Sequence, residues 1–528
     1  MRSFHLPGRS PVIARYGMAA TSHPSASLAA IETLQRGGNA VDAAIAATAL
    51  LCVIEPAMTG IGGDCFALLH KPGLGLIGLN ASGRAPAAAT PQWYAGAGIK
   101  QIEVTTAHAV TVPGAIDGWS MLLADHGTMT LSDVLAPAIE AAEHGFAVAP
   151  RVAHDWAGLW PKIKLHAGAR QHLLLAGRPP RAGDIMRFPA LAATLKAIAR
   201  DGRDAFYAGP IAEDIVSELK ALGGLHTLHD FAAQRASYVT PISVPYAGVE
   251  LNELPPNNQG VVALIMLRML DRLGVRDYPA SSAERYHVML ECGRLAYAAR
   301  DAFLADPDHA SVAVSQMLSD GFIADLCARI DPKRRIATLG PIPRPGGSDT
   351  TCLSVVDRNG MAVSFINSLF SGFGSGIVTA KTGVVLQNRG TGFVLDPTHD
   401  NCIAPGKRPL HTLVPALATK AGKPWLSFGV MGGAFQAAGH AQVLTNMVDY
   451  KMDVQEAIDH PRIFFDGDAV HYEQPLSGTI APALTALGHP MSLRADPWGG
   501  GQAIELDAQR GILIGGSDAR KDGCALGI

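Results

Sequence analysis

The sequence is poor in charge. Asp, Glu, Lys and Arg make up 17% of its 528 residues, whereas about 25% is usual. The 43 basic and 46 acidic residues nearly cancel, and no Lys- or Arg-rich block interrupts this balance, so the electrostatic footprint of a nucleic-acid-binding protein is missing. A hydrophobic fraction of 48% excludes a disordered chain, which combines high charge with low hydrophobicity.

Long hydrophobic runs and paired cysteines are also missing. The longest lipophilic run, residues 43–54, falls short of the ~20 residues that a membrane-spanning helix needs. The N-terminal residues contain no apolar segment typical of a secretory signal, so we expect a cytoplasmic protein without membrane association. The seven cysteines are scattered, with no C-x-x-C pair, which predicts free thiols and no cysteine zinc site.

Glycine and proline, by contrast, are abundant, at 57 and 35 residues. They punctuate an alternation of helices and strands in the first third of the chain. The run over 40–54 is apolar on nearly all sides, which predicts a helix buried all round. The patterns predict helices over 25–34, 40–54, 133–143, 191–199, 211–222, 261–273, 285–304 and 442–452.

Two motifs suggest a cofactor site or a metal site, but the residues around each of them argue against it. Residues 73–78 match G-x-G-x-x-G, but no helix pattern follows them, so a hairpin turn is favoured over a dinucleotide site. His226 and His229 have helical spacing, yet no further cluster completes the three or four ligands that a metal needs. We therefore expect neither a metal nor a cofactor.

A threonine follows a stretch that can form neither helix nor central strand. Residues 341–347 read Pro-Ile-Pro-Arg-Pro-Gly-Gly, and a β-branched strand over 350–356 comes next, with a hairpin turn at 357–360 and a returning strand over 361–368. Threonine is a poor nucleophile unless a base lies beside its hydroxyl. A cut before Thr350 would supply one, because a free α-amine has a reference pKa of about 7.7–8.0. The residues alone also allow an ordinary strand start.

The hairpin brings a second hydroxyl near the first. A two-residue loop at Asn359 and Gly360 pairs Thr350 with Leu369 and leaves Ser368 on the diagonal, whereas a loop one residue longer sets Ser368 directly opposite.

Two adjacent glycines, Gly432 and Gly433, follow an apolar strand over 425–428. Such a pair lets backbone N–H groups approach a reacting oxygen, as an oxyanion hole requires. A tight turn explains the pair equally well.

Short motifs run through the chain in a constant order: GNAVDAA at 38–44, Glu55-Pro56, GIGG at 60–63, VPG at 112–114, HGT at 126–128, LAPA at 135–138, DTT at 349–351, LSVVD at 353–357, FGSG at 373–376, KRPL at 407–410, Gly432-Gly433 and GSD at 516–518. Together they resemble the γ-glutamyltranspeptidase family of N-terminal-nucleophile hydrolases over nearly the whole chain. So many ordered matches favour the nucleophile interpretation of Thr350 over an ordinary strand start.

The resemblance implies a precursor that cuts itself between Asp349 and Thr350. Residues 1–349 would form a large subunit and 350–528 a small one, jointly building an α+β, four-layer αββα sandwich without cofactor or metal. It implies that Thr350 is the nucleophile, that Ser368 supports it in place of the usual Thr, and that Gly432 and Gly433 hold the oxyanion. A pairing of two processed heterodimers is left open.

Several positions depart from the family's pattern for gripping a γ-glutamyl group. The resemblance sets Ser82 where an Arg is usual, with Arg84 displaced by two, and Gly392 where an Asp is usual. Phe370 replaces an Asn, and His411 and Thr412 replace two serines. Altered substrate contacts beside a retained nucleophile indicate a changed specificity on the same chemistry.

We predict that the substrate contacts are Phe370, Arg389, His411 and Thr412. Arginine suits bidentate binding of a small carboxylate, so the hypothesis is a small acidic amide without an amino group, as in a cytoplasmic branch of the family that hydrolyses oxamate. Two alternatives stay open: a glutathione hydrolase or γ-glutamyltransferase, and an unprocessed, non-catalytic relative that binds metabolites. For Arg389 the alternative is a structural ion pair.

Overall fold

The computed structural model describes residue 5 and residues 8–339 and 349–528. The strands of these ranges are β1 (Val12–Ala14), β2 (Met18–Thr21), β3 (Asp64–Lys71), β4 (Gly75–Ala81), β5 (Phe146–Ala147), β6 (Ile185–Met186), β7 (Ser237–Val239), β8 (Ile242–Tyr246), β9 (Val249–Glu253), β10 (Asp349–Val356), β11 (Ala362–Phe370), β12 (Ala416–Lys420), β13 (Lys423–Met431), β14 (Ile463–Asp466), β15 (Ala469–Tyr472), β16 (Met491–Leu493), β17 (Gly500–Asp507), β18 (Ile512–Ser517) and β19 (Cys524–Gly527).

The α-helices of the same ranges are α1 (Pro24–Gln35), α2 (Ala40–Ile54), α3 (Pro91–Gly96), α4 (Ala115–His126), α5 (Leu131–His144), α6 (Pro150–Gly158), α7 (Trp160–Ile163), α8 (Ala167–His172), α9 (Pro189–Asp201), α10 (Arg203–Tyr207), α11 (Pro210–Ala221), α12 (Leu228–Ala233), α13 (Gly260–Arg272), α14 (Ala283–Phe303), α15 (Val314–Met317), α16 (Asp320–Cys327), α17 (Phe435–Val448), α18 (Val454–Asp459) and α19 (Ile480–Ala486). Short 3-10 turns cover Ala107–Ala109, Val275–Asp277, Arg389–Gly392 and Gln474–Leu476.

Two antiparallel sheets of seven strands form the centre of the molecule. One has the order β1-β18-β17-β13-β12-β9-β8 and the other the order β19-β2-β10-β11-β3-β4-β7. Three hydrophobic cores define the layers around them. One lies between the sheets and includes Phe66, Cys352 and Ile366. A second packs α1, α2, α5 and α9 on the outer face of the β10-containing sheet, and a third packs α13, α14 and α17 on the outer face of the other.

This order of helices, sheet, sheet and helices is the predicted four-layer αββα sandwich. Each sheet also mixes strands from both sides of Thr350. In one sheet β2, β3, β4 and β7 precede Thr350 in the chain, and β19, β10 and β11 begin at or after residue 349. In the other, β1, β8 and β9 come from the first part and the remaining strands from the second. Neither part of the chain therefore forms a complete sheet by itself.

Most predicted helices agree with the structure, and α2 has the predicted bounds. The prediction over 442–452 is wrong: α17 starts seven residues earlier, at Phe435, and ends at Val448. Its first residue follows a glycine turn, and its N-cap, Ala434, makes no side-chain hydrogen bond, so the sequence carries no capping signal there.

The motif at 73–78 is part of a hairpin between β3 and β4, as expected, and all seven cysteines are free. Within the described ranges, no helix combines the length and apolar character needed to cross a membrane. The Pro/Gly stretch at 341–347 lies outside the described residues.

Candidate active site

The hairpin formed by β10 and β11 places Thr350 and Ser368 on one face of their sheet. From Thr351 paired with Asn367 to Val356 paired with Ala362, the register is that of the longer of the two predicted loops. It shifts by one at Asp349, which pairs with Phe370. Side chains alternate along a strand, and Cys352 on the same face as Thr350 belongs to the core between the sheets. The face that carries both hydroxyls is therefore the inner one.

The two hydroxyls are in hydrogen-bonding contact. Thr350 is 1% exposed, and its Oγ1 donates to Ser368 Oγ at 3.2 Å. Ser368 Oγ also accepts from the backbone N–H of Phe370 at 2.7 Å. Thr351 points to the opposite face and donates to the carbonyl of Asn367. The structure thus brings Ser368 to the predicted nucleophile, whereas the neighbouring threonine is directed away from it.

The paired glycines form the turn from β13 into α17. Both have positive φ, 128° at Gly432 and 59° at Gly433, a region that L side chains disfavour. Their carbonyls accept from the N–H groups of Phe435 at 3.1 Å and Gln436 at 3.3 Å in the first turn of α17. Because a trans peptide directs its N–H opposite to its C=O, the Gly433 N–H points away from the helix.

The position of this turn suits an anion. Gly432 and Gly433 precede the N-terminus of a 14-residue helix, whose dipole favours negative charge. Gln436, in the first turn of that helix, lies 3.5 Å from Thr350 through Nε2 and Oγ1. The turn is therefore next to the nucleophile. The prediction that its N–H groups hold an oxyanion stays a prediction.

Asp64 is a site residue that the sequence interpretation missed. It begins β3, lies directly opposite Ser368 on β11 and is completely buried. Its carboxylate accepts hydrogen bonds from His411 Nε2 at 3.1 Å and from the donors Gly83 N, Gly114 N and Gln387 Nε2 at 2.9–3.0 Å. The available signal was a carboxylate followed directly by the apolar run at 65–69, a placement that is rare unless the charge is paired.

His411 faces Asp64 instead of open space. Its Nδ1 accepts from the Leu413 N–H at 3.3 Å, so Nε2 carries the proton that is donated to Asp64. Burial and the nearby Arg389 cation lower the pKa of His411 to about 3, which keeps the imidazole neutral. Both ring nitrogens are occupied and the side chain is 0% exposed. In the structure His411 therefore contacts Asp64, and its contact with substrate stays a prediction.

Arg389 lies in the same buried cluster. Its Nη1 donates to Thr412 Oγ1 at 2.9 Å, and its guanidinium carbon lies 4.1 Å from the centre of the Phe370 ring. Nε and Nη2 are buried without a hydrogen-bond partner among the described residues. Burial lowers the pKa of the guanidinium to about 9, against an opposing effect of Asp64. The alternative of a structural ion pair is not formed with any carboxylate that the structure describes.

A cavity of about 1150 Å³ adjoins this cluster. Phe370, Gly392, Thr412 and Ala434 line it on the side of the site. Phe370 has a φ of 82°, a strained backbone for a bulky residue and a common feature of functional sites. Its ring contacts Arg389 and also lines the cavity, so Phe370 separates the cavity from the guanidinium.

The remaining departures from the family pattern also have structural explanations. A Cβ at Gly392 would lie 2.8 Å from the carbonyl oxygen of Leu410, so the usual Asp does not fit there. Arg84 does not replace the missing Arg at Ser82, because it forms an ion pair with Asp308 at 3.0 Å.

No group of three or more His, Cys, Asp or Glu side chains is placed to hold a metal ion in the described part of the chain. The motif around His226 and His229 serves the fold. His226 Nε2 bonds to the carbonyl of Val110 at 2.9 Å, and Thr227 and Asp230 form the capping box of α12.

A four-layer αββα sandwich with a hydroxyl at the start of an inner hairpin strand, close to a glycine turn, defines an N-terminal-nucleophile amide hydrolase. The chain belongs to the gamma-glutamyltranspeptidase family, whose model matches residues 26–528.

Individual relatives agree over almost the whole length. A glutathione hydrolase-like YwrD proenzyme of Bacillus subtilis is 36% identical over 98% of this chain and 99% of its own. An oxamate amidohydrolase proenzyme of Klebsiella pneumoniae is also 36% identical, with the same coverage. The crystal structure of a cephalosporin acylase from Bacillus halodurans superposes with a TM-score of 0.93 at 38% identity, covering 100% of this chain and 99% of that one.

Proposed function

We propose that the protein is a self-processing threonine amidohydrolase that hydrolyses a small acidic amide. The observation that carries the proposal is the contact of 3.2 Å between the hydroxyls of Thr350 and Ser368 on the inner face of the sandwich. A threonine there becomes an N-terminal nucleophile once the chain is cut before it.

Processing would begin with an attack of Thr350 Oγ1 on the carbonyl carbon of Asp349. The C–N bond breaks, the nitrogen takes the hydroxyl proton, and an ester joins the two residues. Water then hydrolyses the ester, which leaves the carboxylate on Asp349 and a free α-amine on Thr350. That amine is the general base that the hydroxyl needs in the second reaction.

Hydrolysis of the substrate would follow the same geometry. The α-amine of Thr350 accepts the hydroxyl proton as Oγ1 attacks the amide carbonyl, and the N–H groups of Gly432 and Gly433 stabilise the oxyanion. The proton passes to the leaving nitrogen, the amine departs, and water cleaves the acyl-enzyme. Ser368, which accepts a hydrogen bond from Thr350, holds the nucleophile in its rotamer.

The environment of Arg389 supports the proposal that the substrate is acidic. Its Nη1 is held by Thr412, while Nε and Nη2 form the free edge of the guanidinium, the geometry that binds a carboxylate with two parallel hydrogen bonds. The proposal requires Phe370, which contacts the guanidinium and lines the cavity, to move so that a carboxylate can reach that edge. Phe370 also occupies space that an Asn leaves open in typical members, which favours a short acyl group.

A γ-glutamyl substrate is less well supported, because the described residues lining the cavity offer its ammonium no unpaired carboxylate. Position 392 has no room for a side chain. Asp301, the one acidic residue among the described residues lining the cavity, is already paired with Arg300 at 2.8 Å.

The size of the cavity favours a second candidate, an acylase for larger amides. A volume of about 1150 Å³ exceeds what a small amide fills, and the superposed relative is a cephalosporin acylase. In the first candidate this space admits water and the leaving amine, whereas in the second it holds a large amine product.

Gel electrophoresis and a substrate panel test the proposal. Purified protein should run as two fragments instead of one chain of 55.2 kDa, and Thr350→Ala should stay whole. Thr351→Ala is the matched control, since Thr351 is equally buried but faces the opposite side. A single full-length band from the unmodified protein would support the non-catalytic alternative.

Release of product from oxamate, from longer ω-carboxyl amides and from γ-glutamyl-p-nitroanilide then separates the substrates. Turnover of oxamate well above the others supports a small acidic amide. Preference for amides with a bulky amine supports the acylase, and turnover of γ-glutamyl-p-nitroanilide alone would contradict both.

A further inference from the structure

Gln436 is a buried polar side chain that the mechanism above does not use. It is the second residue of α17 and is 0% exposed. Its Oε1 accepts a hydrogen bond from the backbone N–H of Val414 at 2.9 Å. This contact settles the orientation of the carboxamide, because only the oxygen can accept. The nitrogen therefore has to face the other way, where Nε2 lies 3.5 Å from Thr350 Oγ1.

We propose that Gln436 is a further catalytic residue, which donates a hydrogen bond from Nε2 to the hydroxyl oxygen of Thr350 as that oxygen loses its proton. The proposal rests on the proposed function, since it assumes that Thr350 is the nucleophile. It concerns both the cut before Thr350 and the hydrolysis of substrate, because the same oxygen attacks in each.

The hydroxyl of Thr350 is both a donor and an acceptor of hydrogen bonds. Thr350 Oγ1 donates a hydrogen bond to Ser368 Oγ and accepts one from Gln436 Nε2. When the proton leaves for the α-amine, the oxygen becomes negative, and a donor to a charged oxygen forms a shorter and stronger bond than a donor to a neutral one. A contact of 3.5 Å in the resting state therefore tightens when charge develops, as catalytic hydrogen bonds commonly do.

The position of Gln436 also links the nucleophile to the glycine turn. Its own backbone N–H donates to the carbonyl of Gly433 at 3.3 Å, and its side chain reaches Thr350. One residue thus sets the distance between the attacking oxygen and the turn that would hold the oxyanion. A 1 Å error in such a distance costs about a hundredfold in rate.

Two substitutions separate catalysis from structure. Gln436→Glu keeps an oxygen that can accept from Val414 N–H, and its second oxygen donates only while the carboxyl group is protonated. Gln436→Met has a similar length and neither donates nor accepts. A purely structural role needs only the acceptor, so it predicts that Gln436→Glu behaves as the unmodified protein at every pH.

The experiment measures two rates between pH 5 and 9: the appearance of the two fragments on gels, and kcat and KM of processed enzyme on its best amide. For Gln436→Met we expect both rate constants to fall by about ten- to a hundredfold, with KM changed less than threefold. For Gln436→Glu the rate relative to the unmodified protein should decline as pH rises, because ionisation of the carboxyl group removes the donor.

Gln442→Met is the matched control. Gln442 lies on the same helix, is 4% exposed and donates to the carbonyl of Pro461, so its loss reports the cost of removing a buried carboxamide. A pH-independent ratio for Gln436→Glu, or one that rises with pH, would overturn the proposal, even if Gln436→Met failed to fold. Processing by Thr350→Ala would instead refute the proposed function itself.

Discussion

The two sides of the candidate site differ in charge. Around Thr350 the contacts are made by neutral groups: the Ser368 hydroxyl, the Gln436 carboxamide and the backbone of a glycine turn. Around Arg389 the residues include a buried guanidinium and a buried carboxylate, Asp64. The first side keeps Thr350 and the glycine pair of the family pattern, with Ser368 in place of the usual Thr, whereas the second carries most of the departures. We therefore expect the rate to depend on the neutral side and the choice of substrate on the charged side.

The largest effect is expected when the glycine turn of the neutral side is altered. In Gly432→Ala the φ of 128° becomes strained, and the N–H groups shift from the expected oxyanion. We expect kcat to fall by about a hundred- to a thousandfold, with KM little changed. Steady-state kinetics check this. Gly422→Ala is the control, because Gly422 also has positive φ but lies in an open turn.

An equal loss of kcat in both glycine variants would mean that strain alone, wherever it lies, impairs the enzyme. A change confined to KM in Gly432→Ala would mean that the turn binds substrate without stabilising the oxyanion.

The second test addresses the charged side. Arg389→Met should lower kcat/KM for an acidic amide by about thirty- to a hundredfold, the size expected for a charged hydrogen-bonding partner. Fragments should still form at the normal rate, because processing does not involve the carboxylate. Removal of a buried, unpaired charge should leave the melting temperature unchanged or higher.

Arg84→Met provides the control for a lost arginine, since Arg84 is paired with Asp308 away from the cavity. If Arg389→Met retained its preference for acidic over neutral amides, the expectation that the charged side determines the choice of substrate would be wrong.

A smaller effect is expected at Ser368. Ser368→Ala should slow both processing and turnover by about tenfold, the cost of one hydrogen bond, whereas Ser368→Thr keeps a hydroxyl and should remain within about twofold. Time courses on gels and initial rates measure the two. A faster Ser368→Ala would contradict a supporting role for this hydroxyl.

The last test concerns the pH dependence of stability instead of the reaction rate. The folded state lowers the pKa of His411 from 6.5 to about 3, so the unfolded chain binds more protons between these values. The free energy of unfolding should therefore fall as pH decreases from about 6.5 towards 3. In His411→Gln that decline should be shallower. Urea unfolding at a series of pH values measures the slope, and an unchanged slope would show that His411 is charged in the folded protein.

The sequence predicts the neutral side of the site better than the charged one. Thr350 and Ser368 are joined by a short hairpin, so turn length and strand alternation place them within one residue of their observed register. The register shift at Asp349 comes from an irregularity in the strand that no local sequence pattern predicts. Helix α2 is predicted with its bounds because a continuous apolar run defines it, and in the structure Asn39 caps its start. By contrast, α17 begins without a side-chain cap and is misplaced.

The charged side depends on contacts between distant parts of the chain. Asp64 and His411 are 347 positions apart, and the sequence has no local feature that joins them. Arg389 was predicted as a binding residue from its chemistry, but its position beneath the Phe370 ring follows from tertiary packing. Burial, which determines the pKa values of Arg389 and His411, is likewise a property of the assembled fold.

The mixing of strands in both sheets has a consequence for the lifetime of the enzyme. Under the proposed cut, the information that guided folding was carried by a continuous chain that no longer exists, and each fragment lacks strands that complete its sheets. An unfolded mature molecule would have to find its other half by diffusion before it could refold. Its lifetime would then be set by the rate of unfolding. Maturation would thus replace reversible folding by kinetic stability.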